Sequence, residues 1–124
     1  MATYQSLHNI TLVAGADLSA SQYRFMTVAA DGQIDPTGDG ANAHGVLQNK
    51  PSAAGEAATV AIAGVSKVVA GAAVAAGASV ASDANGGAVP PTVGEEKLGT
   101  ALEAAGAAGE IIEVLLQLGP GQPN

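Results

Sequence analysis

The sequence predicts an all-β fold, mainly β with at most a short helical turn. The expected shape is a small barrel-like or β-tulip-like domain built from two pseudo-repeated β units. Three observations predict it. Residues 45–64, GVLQNKPSAAGEAATVAIAG, are echoed 54 positions later at 99–118, GTALEAAGAAGEIIEVLLQL. The echo returns Ala-Ala-Gly-Glu at 53–56 and 107–110, each followed four residues on by a valine, Val60 and Val114. The same offset carries Asp31-Gly32 onto Asn85-Gly86. Both are hairpin dipeptides, because glycine supplies the positive φ such turns need. Self-similarity at one fixed spacing decides architecture before any local pattern does. The third observation is glycine itself, which interrupts both Ala-rich stretches, 68–81 and 104–118. Each glycine costs a helix about 1 kcal/mol relative to Ala. Neither stretch carries the charged i, i+4 pairs or polar face of a surface helix.

Taken in order, residues 1–9 show no periodicity and read as a free terminus. Ile10, Leu12 and Ala14 alternate with Thr11 and Val13, a short strand ending at Gly15. Residues 22–29 are β-favouring through Tyr23, Phe25, Met26 and Val28, and the Asp31-Gly32 turn leads to Gln33 and Ile34. A Pro-, Gly- and Asp-rich loop at 35–44 precedes Val46-Leu47, and the 53–56 turn precedes the alternating run Thr59-Val-Ala-Ile-Ala. The second unit repeats the series. Val80 precedes the Asn85-Gly86 turn and Ala88-Val89 follow it; a loop at 90–97 leads to Ala101-Leu102 and the 107–110 turn. Ile111-Ile-Glu-Val-Leu-Leu is continuously apolar enough for a buried strand. A short helical turn is allowed at 72–76. The predicted organisation is an N-terminal arm at 1–14, partly extended, and a single β domain at 15–118. The pseudo-repeats fall at about 18–64 and 72–118, with a tail at 119–124 whose Gly-Pro-Gly-Gln-Pro-Asn cannot hold regular structure.

Composition excludes several functions. The chain of 124 residues carries a net charge of −7, and its four basic residues, Arg24, Lys50, Lys67 and Lys97, are scattered. Nucleic acid and anionic membranes both need clustered Lys and Arg, so neither is an expected partner. The apolar stretch 60–81 is dominated by Ala and Gly with Lys67 inside it, unlike a membrane span rich in Leu, Ile and Phe. No basic and apolar leader opens the chain. There is no Cys or Trp and a single Phe, Phe25. A core of small residues buries little area per residue, so association is expected to contribute to stability.

No catalytic, cofactor-binding or metal-binding constellation is expected, and the chain is not read as an enzyme. His8 and His44 lack metal spacing. Asp31, Asp35 and Asp39 recur every four residues, whereas a calcium loop needs ligands at alternate positions; turn chemistry explains them and Asp83. Glu56 and Glu110 each follow a turn glycine, and acid–base pairs need a cleft and unequal environments.

In order and spacing, several segments resemble the phage capsid cement, or head decoration, proteins. They are Gln22-Tyr-Arg-Phe25, Asp31-Gly32, Gly45-Val-Leu-Gln-Asn-Lys-Pro51, Ala54-Gly-Glu56, Gly64-Val-Ser-Lys-Val-Val69, Ser82-Asp-Ala-Asn-Gly86, Gly99-Thr-Ala-Leu-Glu-Ala-Ala and Gly109-Glu-Ile-Ile-Glu-Val114. The resemblance covers nearly all of 15–118. It implies a β-rich structural protein, made in the host cytoplasm, that binds the outer surface of an icosahedral phage head and stabilises it. It implies a homotrimer with the major capsid protein as partner, no cofactor and no enzymatic residues. It also implies an extended N-terminal arm on the shell. Residues 1–14 match no motif of the family, so position alone nominates Thr3, Tyr4, Leu7, Ile10 and Leu12 as capsid contacts, ordering as a strand on docking. The alternative reading is a β-rich binding or accessory module resembling the antifreeze-like domains of sugar-acid synthases.

Overall fold

A computed structural model describes residues 7–118. The described residues contain nine strands and no helix. They are β1 (Leu7–Ala14), β2 (Phe25–Val28), β3 (Gln33–Pro36), β4 (Gly45–Leu47), β5 (Ala57–Val69), β6 (Ser79–Ser82), β7 (Ala88–Val89), β8 (Gly99–Ala101) and β9 (Ile111–Leu116). The fold is all-β. Residues 72–76, where a helical turn was allowed, form bends and a turn around the bridge Val74↔Ala105. The apolar stretch 60–81 divides into β5, that turn region and β6.

The strands make one sheet in the order β1-β3-β2-β4-β5-β9-β8-β6-β7. In the first half the path closes on itself, because β1 pairs with β3 in parallel and with β5 antiparallel. Closure of this kind leaves fewer free edges, which a short-stranded sheet must otherwise protect. In the second half the path β5-β9-β8-β6-β7 returns to the residue that follows β5 through the parallel bridge Ala70↔Ala88. The strand β5 serves both circuits: its first part pairs with β1 and β4, its last part with β9.

Pairing registers recur along the chain. Thr27↔Asp35 and Val28↔Ile34 return as Ala81↔Val89 and Ser82↔Ala88, each 54 residues on. Phe25↔Val46 and Met26↔Gly45 return as Ser79↔Thr100 and Val80↔Gly99. Val46↔Ala61 and Leu47↔Val60 return as Thr100↔Leu115 and Ala101↔Val114. The N-terminal strand also has a counterpart, at an offset of 56: Thr11↔Thr59, Leu12↔Ala58 and Val13↔Ala57 return as Lys67↔Glu113, Val68↔Ile112 and Val69↔Ile111. The two extra residues of the first half lie between Leu18, whose N–H donates to Pro51 O as Val74 N–H does to Ala105 O, and Ser21, the counterpart of Ala75.

Close approach fixes one residue type in both halves. A Cβ on Gly45 would run into the Val60 side chain and the Ala61 carbonyl, and one on Gly99 into Val114 and the Leu115 carbonyl. No side chain fits there.

Each half has a core. In the first, Ala14, Leu18, Met26, Ile34, Leu47, Ala58 and Val60 cluster. Their counterparts Ala70, Val74, Val80, Ala88, Ala101, Ile112 and Val114 cluster in the second. Ile34 and Ala58 in one core are replaced by Ala88 and Ile112 in the other, a large-for-small exchange that preserves volume. The second cluster also takes in Phe25, Ala43, Val46 and Ala61 from the first half, so one apolar junction joins the two circuits.

Candidate interaction surface

Of the five nominated contacts, Thr3 and Tyr4 lie outside the described residues. Leu7, Ile10 and Leu12 all lie on β1, which already runs antiparallel to β5 over seven residue pairs. Ordering of residues 7–14 therefore does not wait for a partner strand, and the strand begins three residues earlier than the Ile10–Ala14 alternation suggested. Leu12 is half-buried against the first core and Leu7 against the second. Ile10 keeps 37% of its surface exposed, and Val13, which was not nominated, keeps 40%.

Sequence reasoning also missed two apolar residues on β9. Its run is not buried throughout: Ile112, Val114 and Leu116 face the core, while Ile111 and Leu115 are exposed. Glu113, midway between them, was the available signal, since period-two alternation puts 111, 113 and 115 on one face. Val69, Lys67 and Val65 stand opposite these three on β5. Leu102 follows β8 and donates its backbone N–H to Glu113 O. The outer face of β5 and β9 thus exposes Ile111, Leu115 and Lys67, with Val65 and Val69 half-buried and Glu113 buried between them. Lys67 Nζ also lies 5.9 Å from the Tyr23 ring centroid, a cation–π contact.

Glu56, Glu110, Asp31 and Asp83 are used in turns. Glu56 Oε1 accepts the Ser52 N–H at 2.7 Å, and its counterpart Glu110 accepts the Gly106 N–H at 2.9 Å. Asp83 Oδ1 accepts the N–H groups of Asn85 and Gly87, both at 2.8 Å, and Asp31 accepts that of Gln33. His44 Nδ1 accepts the Val28 N–H. Asp17 accepts both the hydroxyl and the N–H of Ser19, and these two bonds, the hydroxyl's foremost, hold its carboxyl below the usual range. Among the described residues no group of three or more His, Cys, Asp or Glu is placed to hold a metal ion. What the surface offers is shape and apolar contact.

A family model described as phage cement protein matches residues 4–117. No curated protein matches the chain. Among solved structures, the N base of head fiber gp8.5 of bacteriophage phi29 superposes with a TM-score of 0.70 at 19% identity, covering 90% of this chain and 95% of that one. That likeness is one of fold.

Proposed function

The chain belongs to the phage cement protein family, a structural component of the phage capsid, and from that premise we propose how it acts. It binds the outer surface of an assembled icosahedral head, spans neighbouring copies of the major capsid protein and holds them together. It is made in the host cytoplasm, acts as a homotrimer and catalyses no reaction. Its two halves are copies of one β unit, a reading supported by the registers that return at 54 residues. The observation that carries the functional reading is the family match over 4–117. Three features support it. Turn hydrogen bonds occupy Glu56 and Glu110. The net charge of −7 suits a protein outside the shell better than one against packaged DNA. The neighbour is named as the base of a fiber on a phage head.

Titrating expanded, undecorated heads with the purified protein tests the reading. Saturable binding at fixed stoichiometry, with heads more resistant to heat, is expected. Heads that bind none, or bind without saturation, would refute it. Residues 7–14 belong to the chain's own sheet, so the role of an N-terminal arm in docking is tested on the residues that precede them. Deleting residues 2–6 should abolish head binding and leave the unfolding midpoint unchanged; undiminished binding would remove the arm from the mechanism.

A further inference from the structure

Inside the chain, the first half docks on the second through a defined set of contacts. Phe25 N–H donates to Gly86 O at 2.8 Å, and Val69 N–H donates to Tyr23 O at 2.8 Å. Gln48 Nε2 donates to Ser66 Oγ at 3.0 Å. Phe25, Val46 and Ala61 are fully buried there, and Ser66 is 1% exposed. The docking face of the first half is therefore Tyr23, Phe25, Val46, Gln48 and Ala61. The receiving face of the second is Ser66, Val69 and Gly86.

The recurrent register gives each face a counterpart on the other half. The docking face recurs on the second half as Gly77, Ser79, Thr100, Leu102 and Leu115. The receiving face recurs on the first as Ile10, Val13 and Gly32. Among the described residues neither counterpart is covered by the other half. Leu102 is 45% and Leu115 38% exposed, where Ala61, the counterpart of Leu115, is at 0%. Ile10 is 37% exposed, where its counterpart Ser66 is at 1%. Four of the six large hydrophobic side chains exposed among the described residues, Ile10, Val13, Leu102 and Leu115, stand at these counterpart positions; Val93 and Ile111 do not. The chemistry also changes in step. Gln48 and Ser66, hydrogen-bonded at the internal junction, become Leu102 and Ile10, so a polar pair is replaced on both sides by an apolar one.

We propose that the two open faces bind each other between copies of this chain: Leu102 and Leu115 of one copy pack on Ile10 of the next, whose Val13 N–H takes the place of the Val69 N–H, repeating the internal junction head to tail. A contact between unlike faces closes into a ring or extends as a filament, depending on the rotation it imposes. The proposal rests on the recurrent register; it shares self-association with the homotrimer reading but not head binding, so heads that bind no protein leave it standing. Higher salt strengthens the association, because copies of net charge −7 repel and ions screen that repulsion.

Sedimentation of the full chain across a wide concentration range, with two single-face variants, tests it. The unmodified protein should show a mass that rises with concentration. Leu102→Asp and Ile10→Asp should each sediment as monomers, their association weakened at least about tenfold. A 1:1 mixture of the two should form a heterodimer and nothing larger, because one intact junction remains. Leu115→Asp and Ile10→Lys repeat the test if either first variant has lost its fold by circular dichroism. An unmodified protein that stays monomeric, a variant that still assembles, or a mixture that yields no dimer would each overturn the proposal. Association that appears only after residues 2–6 are removed would assign the faces to the chain's own N-terminus and overturn it too.

Discussion

Gly32 and Gly86 hold the same φ of +82°, each closing a hairpin turn, yet they face different surroundings. A Cβ on Gly32 meets nothing within 4 Å, whereas one on Gly86 lies 2.6 Å from Phe25 O. Gly32→Ala should cost about 1 kcal/mol, the left-handed penalty alone. Gly86→Ala should cost about 3 kcal/mol, because the junction must also open. Urea midpoints of the two variants measure the difference. Asp17 gives a pH test. Its folded pKa is depressed, so its contribution is complete above the ordinary carboxylate value and is lost as pH falls through the lowered one. Asp17→Ala should therefore be slightly less stable than the parent at pH 7 and indistinguishable from it in strong acid, read from urea midpoints at both pH values. Turn residues such as Asp31-Gly32 were legible in the sequence because their chemistry is local. The different neighbours of the two glycines were not, since Phe25 is 61 positions from Gly86.

At the scale of the strand, the sharpest test is β9. Ile112 is 2% exposed and Ile111 47%. Ile112→Ala should cost about 3 kcal/mol and Ile111→Ala less than about 1 kcal/mol, measured by thermal or urea unfolding. Equal costs would mean that the strand's faces are wrongly assigned. The 54-residue offset read from the two Ala-Ala-Gly-Glu turns leads to the observed strands: 25–28 plus 54 is 79–82, and 45–47 plus 54 is 99–101. The role of the N-terminal strand escaped that reading, because the two extra residues after Leu18 shift its offset to 56. A signal was present. Val-Ala-Gly-Ala stands at 13–16 and again at 69–72. Four small residues in an Ala-rich chain carry too little information to be trusted without the pairing of β1 with β5.

The whole molecule is bound together by one shared strand and one junction core. The 13 residues of β5 complete the first circuit and begin the second. Unfolding should therefore be a single cooperative transition, with circular dichroism and tyrosine fluorescence coincident. Two resolved steps would show the halves to be independent. A fragment of residues 1–62 should not fold, since it leaves Phe25, Val46 and Ala61 uncovered. For a phage cement protein, the shared strand also has a mechanical meaning. Two domains on a flexible linker would take up strain as slack. Here tension between the halves runs along β5, whose bonds to β1 and β9 lie across the line of pull. Those bonds are loaded in shear and must yield together, so the molecule acts as a stiff tie.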